Sequence, residues 1–550
     1  MAGKVTAARI LDALEAFGVR TVFGLPGVHN LPFWDDLDVD GSRPNGLRIV
    51  GIRHEQTAAY AADGLARSTG GLGVALVTSG PGAANTLAAF GEASVSGVPI
   101  LVIASDVPER LRNRHGPRGL LHESPDPGAW FTPMAKAVFQ PTTITEAVED
   151  VAAAIEVAFQ HPRGPVYLGI PADVLASGSP TGRPAHVVTT TAPTSAEITA
   201  LADAVNASDR PALWVGGGAV ASGAATEIDA LAWRLGAPVF ATYAGRGILP
   251  SGHPLLVDVP PHEPAARELL ASADLLIGLG SAFDGMTTAN WTLPRPAQVV
   301  DVNLAPSYAF NPDLVIKGDV QQTVDALSIR LRSREPWADS PFQIRANVLR
   351  AASADARIRE AIGFVEAIDK AWPREQPIVC DMAVGGYWVG GYAAVHLPGH
   401  LLYPVGWGTL GYGLPAAIGV AAAGHSCLAV VGDGGLAMAM GELGTVVQEQ
   451  LPITLLVVDD GGYGMLRFDQ QRSGRLERGV DLDSPRWTDL GRAFGLPVDK
   501  PTNLEDLRNV LAWSALSGEP RMIVYRAALY PPRSTSPRWA DPTDSLDHPQ

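Results

Sequence analysis

The sequence predicts an α/β protein made of three doubly wound parallel-sheet domains, and three observations carry that expectation. Runs of strand length that are almost wholly apolar, such as residues 73–78, 99–104 and 453–458, recur along the chain. Strands buried on both faces read this way. Longer helix-like segments lie between them, so strand and helix alternate as in βαβ units. The 59 glycines and 45 prolines among 550 residues supply the tight turns that repeated strand–loop–helix units need.

The first domain is expected over residues 1–175. Residues 21–24 and 48–52 read as strand ends, 73–78 and 99–104 as buried strands, and 164–171 as the closing strand. A Pro/Ser/Thr/Gly-rich linker over 176–195 follows. The central domain is expected over 190–335. Its strand at 211–215 runs into Gly216, Gly217 and Gly218, and further strands lie at 273–280 and 297–302. The glycines lack the full spacing of a dinucleotide-binding turn, so they read as a tight βα turn first and a nucleotide site second. A linker at 333–342 ends this domain. The third domain, 354–530, starts with a strand at 377–381 and ends with one at 521–526; residues 531–550 form a tail rich in Pro, Ser and Asp.

Composition excludes several classes. Hydrophobic residues make up 46% and charged residues 18%, enough to build large cores. A net charge of -16 without a basic run argues against a nucleic-acid surface. Cys380 and Cys427, the two cysteines, lie in or beside apolar strands and read as small buried hydrophobes. Residues 1–6 start an amphipathic helix, not a signal peptide, and no apolar stretch suffices to cross a bilayer. A cytoplasmic protein with no membrane or nucleic-acid partner is expected.

The chemistry concentrates in the third domain. The apolar run 427–431 leads to Gly432, Asp433, Gly434 and Gly435; a helix-like segment, 436–450, leads to a second run ending in Asp459, Asp460, Gly461, Gly462, Tyr463 and Gly464. Acidic residues therefore sit at the C-terminal ends of two parallel strands, the edge at which open α/β sheets bind ligands. Two carboxylates there can hold a hard divalent cation, and the glycines let backbone N–H groups approach a phosphate. A magnesium-bridged diphosphate fits this unit best.

This unit resembles the diphosphate motif of thiamine-diphosphate (ThDP) enzymes. Asp459 and Asp460 stand where that family usually has Asn, and an Asp at the second position still offers oxygen to magnesium. A distant second match resembles the family's pyrimidine-binding domain: Gly24-Leu25-Pro26-Gly27, then Arg53-His54-Glu55-Gln56, then Thr78-Ser79-Gly80-Pro81-Gly82. The resemblance covers about residues 6–530 and implies pyrimidine-binding, central and diphosphate-binding domains. It is nearest to the acetolactate synthase, pyruvate oxidase and benzoylformate decarboxylase branch.

The resemblance implies ThDP and Mg2+ as cofactors and leaves open whether the central domain holds FAD. Glu55 takes the place of the family's activating glutamate; read alone, it is a helix N-terminal carboxylate favoured by the dipole. Asp433, Asp460 and the Gly462 carbonyl would ligate magnesium. Pro26, Gly408, Leu410, Gly432, Gly434, Gly435, Tyr463, Gly464 and Met465 would contact the cofactor, with Leu410 wedged beneath it. His29 and His122 are candidates to bind a substrate oxygen or shuttle a proton, or are structural histidines.

The expected function is decarboxylation of a 2-oxo acid, with or without ligation of the acyl unit to a second carbonyl, by a homodimer or homotetramer. Two departures separate the chain from biosynthetic acetolactate synthases. Ser281-Ala282-Phe283-Asp284-Gly285 replaces the usual Arg-Phe-Asp-Asp-Arg, and Met465-Leu466-Arg467-Phe468-Asp469 lacks the usual Trp. A decarboxylase or lyase for aromatic or branched 2-oxo acids or 2-hydroxy-ketones, benzoylformate decarboxylase- or benzaldehyde lyase-like, is the alternative. A non-catalytic ThDP-fold binding protein is a further one.

Overall fold

The computed structural model describes residues 4–113, 116, 118–178, 190–337 and 341–532. These form three six-stranded sheets in which every pairing is parallel. In spatial order the first sheet is Arg48–Gly51, Thr21–Gly24, Gly73–Val77, Ile100–Asp106, Val166–Pro171 and Ala137–Phe139. The third is Leu401–Leu402, Ile378–Cys380, Cys427–Gly432, Ile453–Asp459, Arg521–Arg526 and Val498–Asp499. Numbered along the chain within each sheet, both read 2-1-3-4-6-5. The central sheet runs Leu314–Lys317, Gln298–Asn303, Leu275–Leu279, Pro211–Val215, Val239–Ala241 and Leu256–Val257, which is the 3-2-1-4-5-6 order of doubly wound dinucleotide folds.

The apolar runs are buried because helices cover both sheet faces. Every residue of Ile100–Asp106 and of Ile453–Asp459 is buried. Helix Ile144–Phe159 shows how the covering layer is specified. Thr143 and Glu146 close a capping box, and Ala147, Val148, Val151, Ala152 and Ile155 recur at helical spacing on its buried face. In the central domain a Cβ at Gly218 would stand 2.8 Å from the Cα of Gly280, and Gly218 N donates to the Gly280 carbonyl at 2.8 Å. The glycine turn thus serves close packing of two strand ends.

Two helices join the outer domains. Glu55–Thr69 of the first lies against Gly413–Ala422 of the third. Only glycine fits the crossing: a Cβ at Gly64 would overlap the Ala416 carbonyl, and one at Gly419 the Ala61 carbonyl. Beside it, Tyr412 Oη donates to Asp63 at 2.8 Å, and Arg67 bridges Asp63 at 2.6 Å and Glu92 at 3.1 Å. Asp63 and Glu92 are fully buried, so the cation neutralises carboxylates that would otherwise be costly.

The helix expected over 436–450 is broken. Asp433–Ala439 ends in a tight turn, Met440–Glu442, before Leu443–Gln448 continues. The break turns Glu442 inward, where its carboxylate accepts the backbone N–H groups of Arg53 and His54, each at 3.0 Å. Helix Phe342–Ser353 follows directly on the second linker. Residues 179–189 of the first linker, 338–340 of the second, and the tail beyond Pro532 lie outside the described residues. Cys380 and Cys427 are free and buried in the third sheet. No helix among the described residues is long and apolar enough to cross a membrane.

Candidate active site

The C-terminal strand edges of the two outer sheets gather the polar side chains. At the third sheet, a cleft is lined by Leu410, Asp433, Asp460, Gly462, Tyr463 and Met465, among others. Asp433 follows strand Cys427–Gly432 and opens helix Asp433–Ala439; Asp460 follows strand Ile453–Asp459. Both carboxyls are pushed up. For Asp433 burial leads, with Asp459 adding to it; for Asp460 burial leads, the Asp433 charge adds, and the value is about 6. Two carboxylates held this close in a dry cleft call for a counter-cation.

One oxygen has no hydrogen bond of its own, only the Arg467 guanidinium 3.9 Å away. Asp460 Oδ1 is buried without a hydrogen-bond partner, a costly state unless a ligand completes it. Asp433 Oδ2 accepts from Ser484 Oγ at 3.2 Å. The Gly462 carbonyl oxygen would lie 3.3 Å from a Cβ at Gly434, which brings it to the same corner. Two carboxylates and a carbonyl form a hard oxygen donor set suited to Mg2+. Among the described residues no cluster of three or more His, Cys, Asp or Glu side chains is arranged for a metal, so the third donor here is backbone. These residues fit the cation.

The glycines form the cradle. A Cβ at Gly435 would stand 2.6 Å from Asp381 Oδ2, one at Gly434 2.7 Å from the Tyr463 ring, and one at Gly464 would overlap the Asp460 carboxylate. Side chains are excluded where a diphosphate would meet backbone N–H groups at the start of a helix. Gly461 adopts φ 82°, a left-handed turn that suits glycine. Arg467 braces the turn: its guanidinium pairs with Asp481 at 2.8 Å and donates to the Asp460 and Gly461 carbonyls at 3.4 Å. Buried Asp381, at the end of strand Ile378–Cys380, accepts from Met382 N at 2.7 Å and Gly411 N at 3.1 Å, and burial pushes it to about 6. It holds the loop that carries Leu410.

The first sheet presents a different set. Glu55 opens helix Glu55–Thr69 and accepts from Asn85 Nδ2 at 2.9 Å. His29 follows strand Thr21–Gly24, and its Nδ1 lies 2.6 Å from Ser79 Oγ; His122 Nδ1 lies 3.2 Å from the same oxygen. The two rings meet edge to face at 5.7 Å. Burial lowers the His29 pKa, and the neighbouring His122 lowers it further. Gly80 at φ 58° allows this approach, since a Cβ there would stand 2.9 Å from His122 Cβ.

The structure therefore brings His29 and His122 together, and Asp433, Asp460, Gly462, Leu410, Gly432, Gly434, Gly435, Tyr463, Gly464 and Met465 around one cleft. Glu55, Pro26 and Gly408 do not line that cleft. Glu442, nine residues past Asp433, links the two edges by holding the turn before Glu55. Asp381, Glu442 and Ser484 carry roles the sequence did not announce, and Ser79 lay within its motif without a role assigned. Asp381 carried the same strand-end signal as Asp433; Ser484, in a long loop, carried none.

Comparison with known proteins follows this division. Residues 4–126 match the N-terminal TPP binding domain of thiamine pyrophosphate enzymes, 198–327 their central domain and 384–525 their C-terminal TPP binding domain. The chain is 35% identical to a probable 2-ketoarginine decarboxylase of Pseudomonas aeruginosa, over 92% of this chain and 91% of that protein. It is 29% identical to a probable acetolactate synthase large subunit of Methanocaldococcus jannaschii, over 94% and 90%. It is also 29% identical to the acetolactate synthase isozyme 2 large subunit of Escherichia coli, over 88% and 89%. An X-ray structure from Mycobacterium smegmatis, described as that of a thiamin diphosphate-dependent enzyme, superposes with TM-score 0.78 over 95% of this chain and 99% of that one at 21% identity, a likeness of fold.

Proposed function

The chain belongs to the thiamine pyrophosphate enzymes, and from that premise we propose that it decarboxylates a 2-oxo acid with ThDP and Mg2+. The observation that carries this reading is the buried Asp460 oxygen, without a hydrogen bond, beside Asp433 in a glycine-lined cleft. When bound, ThDP supplies a carbon nucleophile and an electron sink for the bond to carbon dioxide. The protein's own part is positioning and proton handling. Asp433, Asp460 and the Gly462 carbonyl would hold the cation, and Gly434 and Gly435 would offer backbone N–H groups to the diphosphate. Leu410 and Met465 supply apolar walls that keep water away. Glu55, set by Asn85, would hydrogen-bond the aminopyrimidine, and His29 and His122 would serve the substrate oxygens.

The two departures from acetolactate synthases, at residues 281–285 and 465–469, favour release of a free aldehyde over ligation. So does the 35% identity to the 2-ketoarginine decarboxylase relative. The acetolactate synthase relatives support the second reading, in which the acyl unit passes to another carbonyl. Incubating purified protein with ThDP, Mg2+ and a panel of 2-oxo acids, including 2-ketoarginine, with mass detection of products, tests both. Carbon dioxide and aldehyde are expected; an acyloin moves the assignment to ligation. Bound ThDP with no carbon dioxide from any acid overturns the reading in favour of a non-catalytic binding protein.

The working unit in this reading is a homodimer or a multiple of one, with each cofactor held between the first domain of one copy and the third of another. Exposed apolar side chains on both edges, Val28 and Leu121 on one and Met438 and Leu466 on the other, support a covering partner. Mixing Glu55→Gln chains with Asp433→Ala chains under subunit exchange, at a ThDP concentration too low to fill the Asp433→Ala site, is expected to restore activity in hybrids. No recovery despite proven exchange counts against shared sites.

A further inference from the structure

Ser79 sits fully buried between two rings, and its single hydroxyl touches Nδ1 of both. A hydroxyl carries one proton. When both histidines are neutral, Ser79 can donate to only one Nδ1, and its oxygen then accepts from the other, which must be Nδ1–H. The two rings are thereby forced into opposite tautomers. Nδ1 of each is taken by Ser79, so Nε2 is what each can present to a ligand. One Nε2 carries a proton and the other carries a lone pair.

We propose that Ser79 is a positioning residue that couples His29 and His122 into a neutral acid–base pair, one ring offering a proton to the substrate while the other accepts one. The proposal rests on the 2-oxo acid reading above for its substrate and on the hydrogen-bond geometry alone for the coupling.

The relay balances. The acid ring gives its Nε2 proton to a substrate oxygen. Its Nδ1 takes the Ser79 hydroxyl proton, Ser79 oxygen takes the Nδ1 proton of the second ring, and the Nε2 of that ring takes a proton from the substrate side or from water. Each atom that loses a proton regains one, neither ring becomes charged, and the tautomers have exchanged. The site is therefore reset for a proton moving in the opposite direction. The edge-to-face contact at 5.7 Å disfavours a doubly charged pair. Asp106, which favours charge on His29, is itself bound to Arg112 at 2.5 Å, so its pull is reduced. Placement fits the role: His29 and Ser79 follow neighbouring strands at the ligand-binding edge of the first sheet.

The test uses full-length protein labelled with 15N-histidine. Long-range 1H–15N correlations distinguish Nδ1–H from Nε2–H, and His29→Asn and His122→Asn chains assign the two rings. At neutral pH one ring is expected as each tautomer. In Ser79→Ala, which removes one oxygen and leaves the backbone unchanged, both rings should adopt the intrinsically favoured Nε2–H form. Turnover should fall about 100-fold, with ThDP affinity and KM unchanged. Identical tautomers in the unsubstituted protein, or opposed tautomers that persist in Ser79→Ala, overturn the coupling. Unchanged turnover in Ser79→Ala overturns its use in catalysis. A protein inactive on every 2-oxo acid would refute the substrate reading, and the tautomer readout would still decide the coupling.

Discussion

The first and third sheets share one strand order, 2-1-3-4-6-5, yet their ligand edges carry opposite chemistry. After strands one to three, the first sheet offers His29, Glu55 and Ser79. After strands one, three and four, the third offers Asp381, Asp433 and Asp460. Both fourth strands even end in an aspartate paired with arginine: Asp106 with Arg112 at 2.5 Å and Asp459 with Arg526 at 3.0 Å. The shared scaffold thus fixes where side chains emerge, while the residues that emerge decide the task. In the proposed reading, one edge moves protons between neutral groups and the other holds a cation and an anion.

That contrast predicts different failures. The largest effect should come from the first edge: Glu55→Gln is expected to lower turnover about 100- to 10,000-fold with ThDP affinity retained, measured by steady-state kinetics at saturating cofactor. Near-normal turnover would erase the division of labour. At the third edge, Asp433→Ala should act on binding first. Titrating cofactor-free protein with ThDP and Mg2+ should show affinity weakened by about tenfold or more, as when a site loses a group that orients its metal. An unchanged affinity would remove Asp433 from the cation site.

The seam between the halves can be strained directly. Gly419→Ala drives a Cβ into the Ala61 carbonyl, and overpacking of this kind costs about 1–3 kcal/mol. A lower Tm in thermal unfolding, with the purified variant still binding ThDP, is the expected outcome. An unshifted Tm would mean the two helices can slide apart at no cost.

The smallest effect belongs to Asp460→Asn, which keeps an oxygen donor. Because the Asp460 carboxyl stands at about 6 in the fold, it is neutral below that pH and charged above it. Cation-dependent ThDP affinity should therefore rise as pH climbs through 6. The cation-free protein should lose stability over about pH 4 to 6, since the folded carboxyl holds its proton more tightly than the unfolded one. The Asn variant does not titrate there, so its affinity curve should be flatter, near that of the parent above pH 7 and higher at pH 5. Loss of ThDP binding in this variant would count against the ligand assignment.

Much of this was legible in the sequence because long buried strands and the glycines beside their ends leave strong patterns. Residues 427–435 and 453–464 announced both the βαβ unit and its two carboxylates. What escaped was short or non-local. Leu401–Leu402, Val498–Asp499 and Leu256–Val257 are strands of two residues at sheet edges, too brief to show a period. Glu442 lay inside an apparent helix, and its reason for turning inward is a pair of N–H groups almost four hundred residues away. Ser79 was visible in its motif, but its bridging role needs His122 folded back over Gly80.

The two cysteines give the third sheet a built-in reporter. Cys380 and Cys427 lie on adjacent parallel strands, both fully buried, and burial pushes both thiols well above their ordinary range. A thiol reagent reacts with the thiolate, so it should find the closed sheet silent. The first and central domains contribute no cysteine at all. The rate at which such a reagent labels the native protein therefore clocks the opening of one domain out of three, and a cofactor that clamps the aspartate cleft should slow that clock.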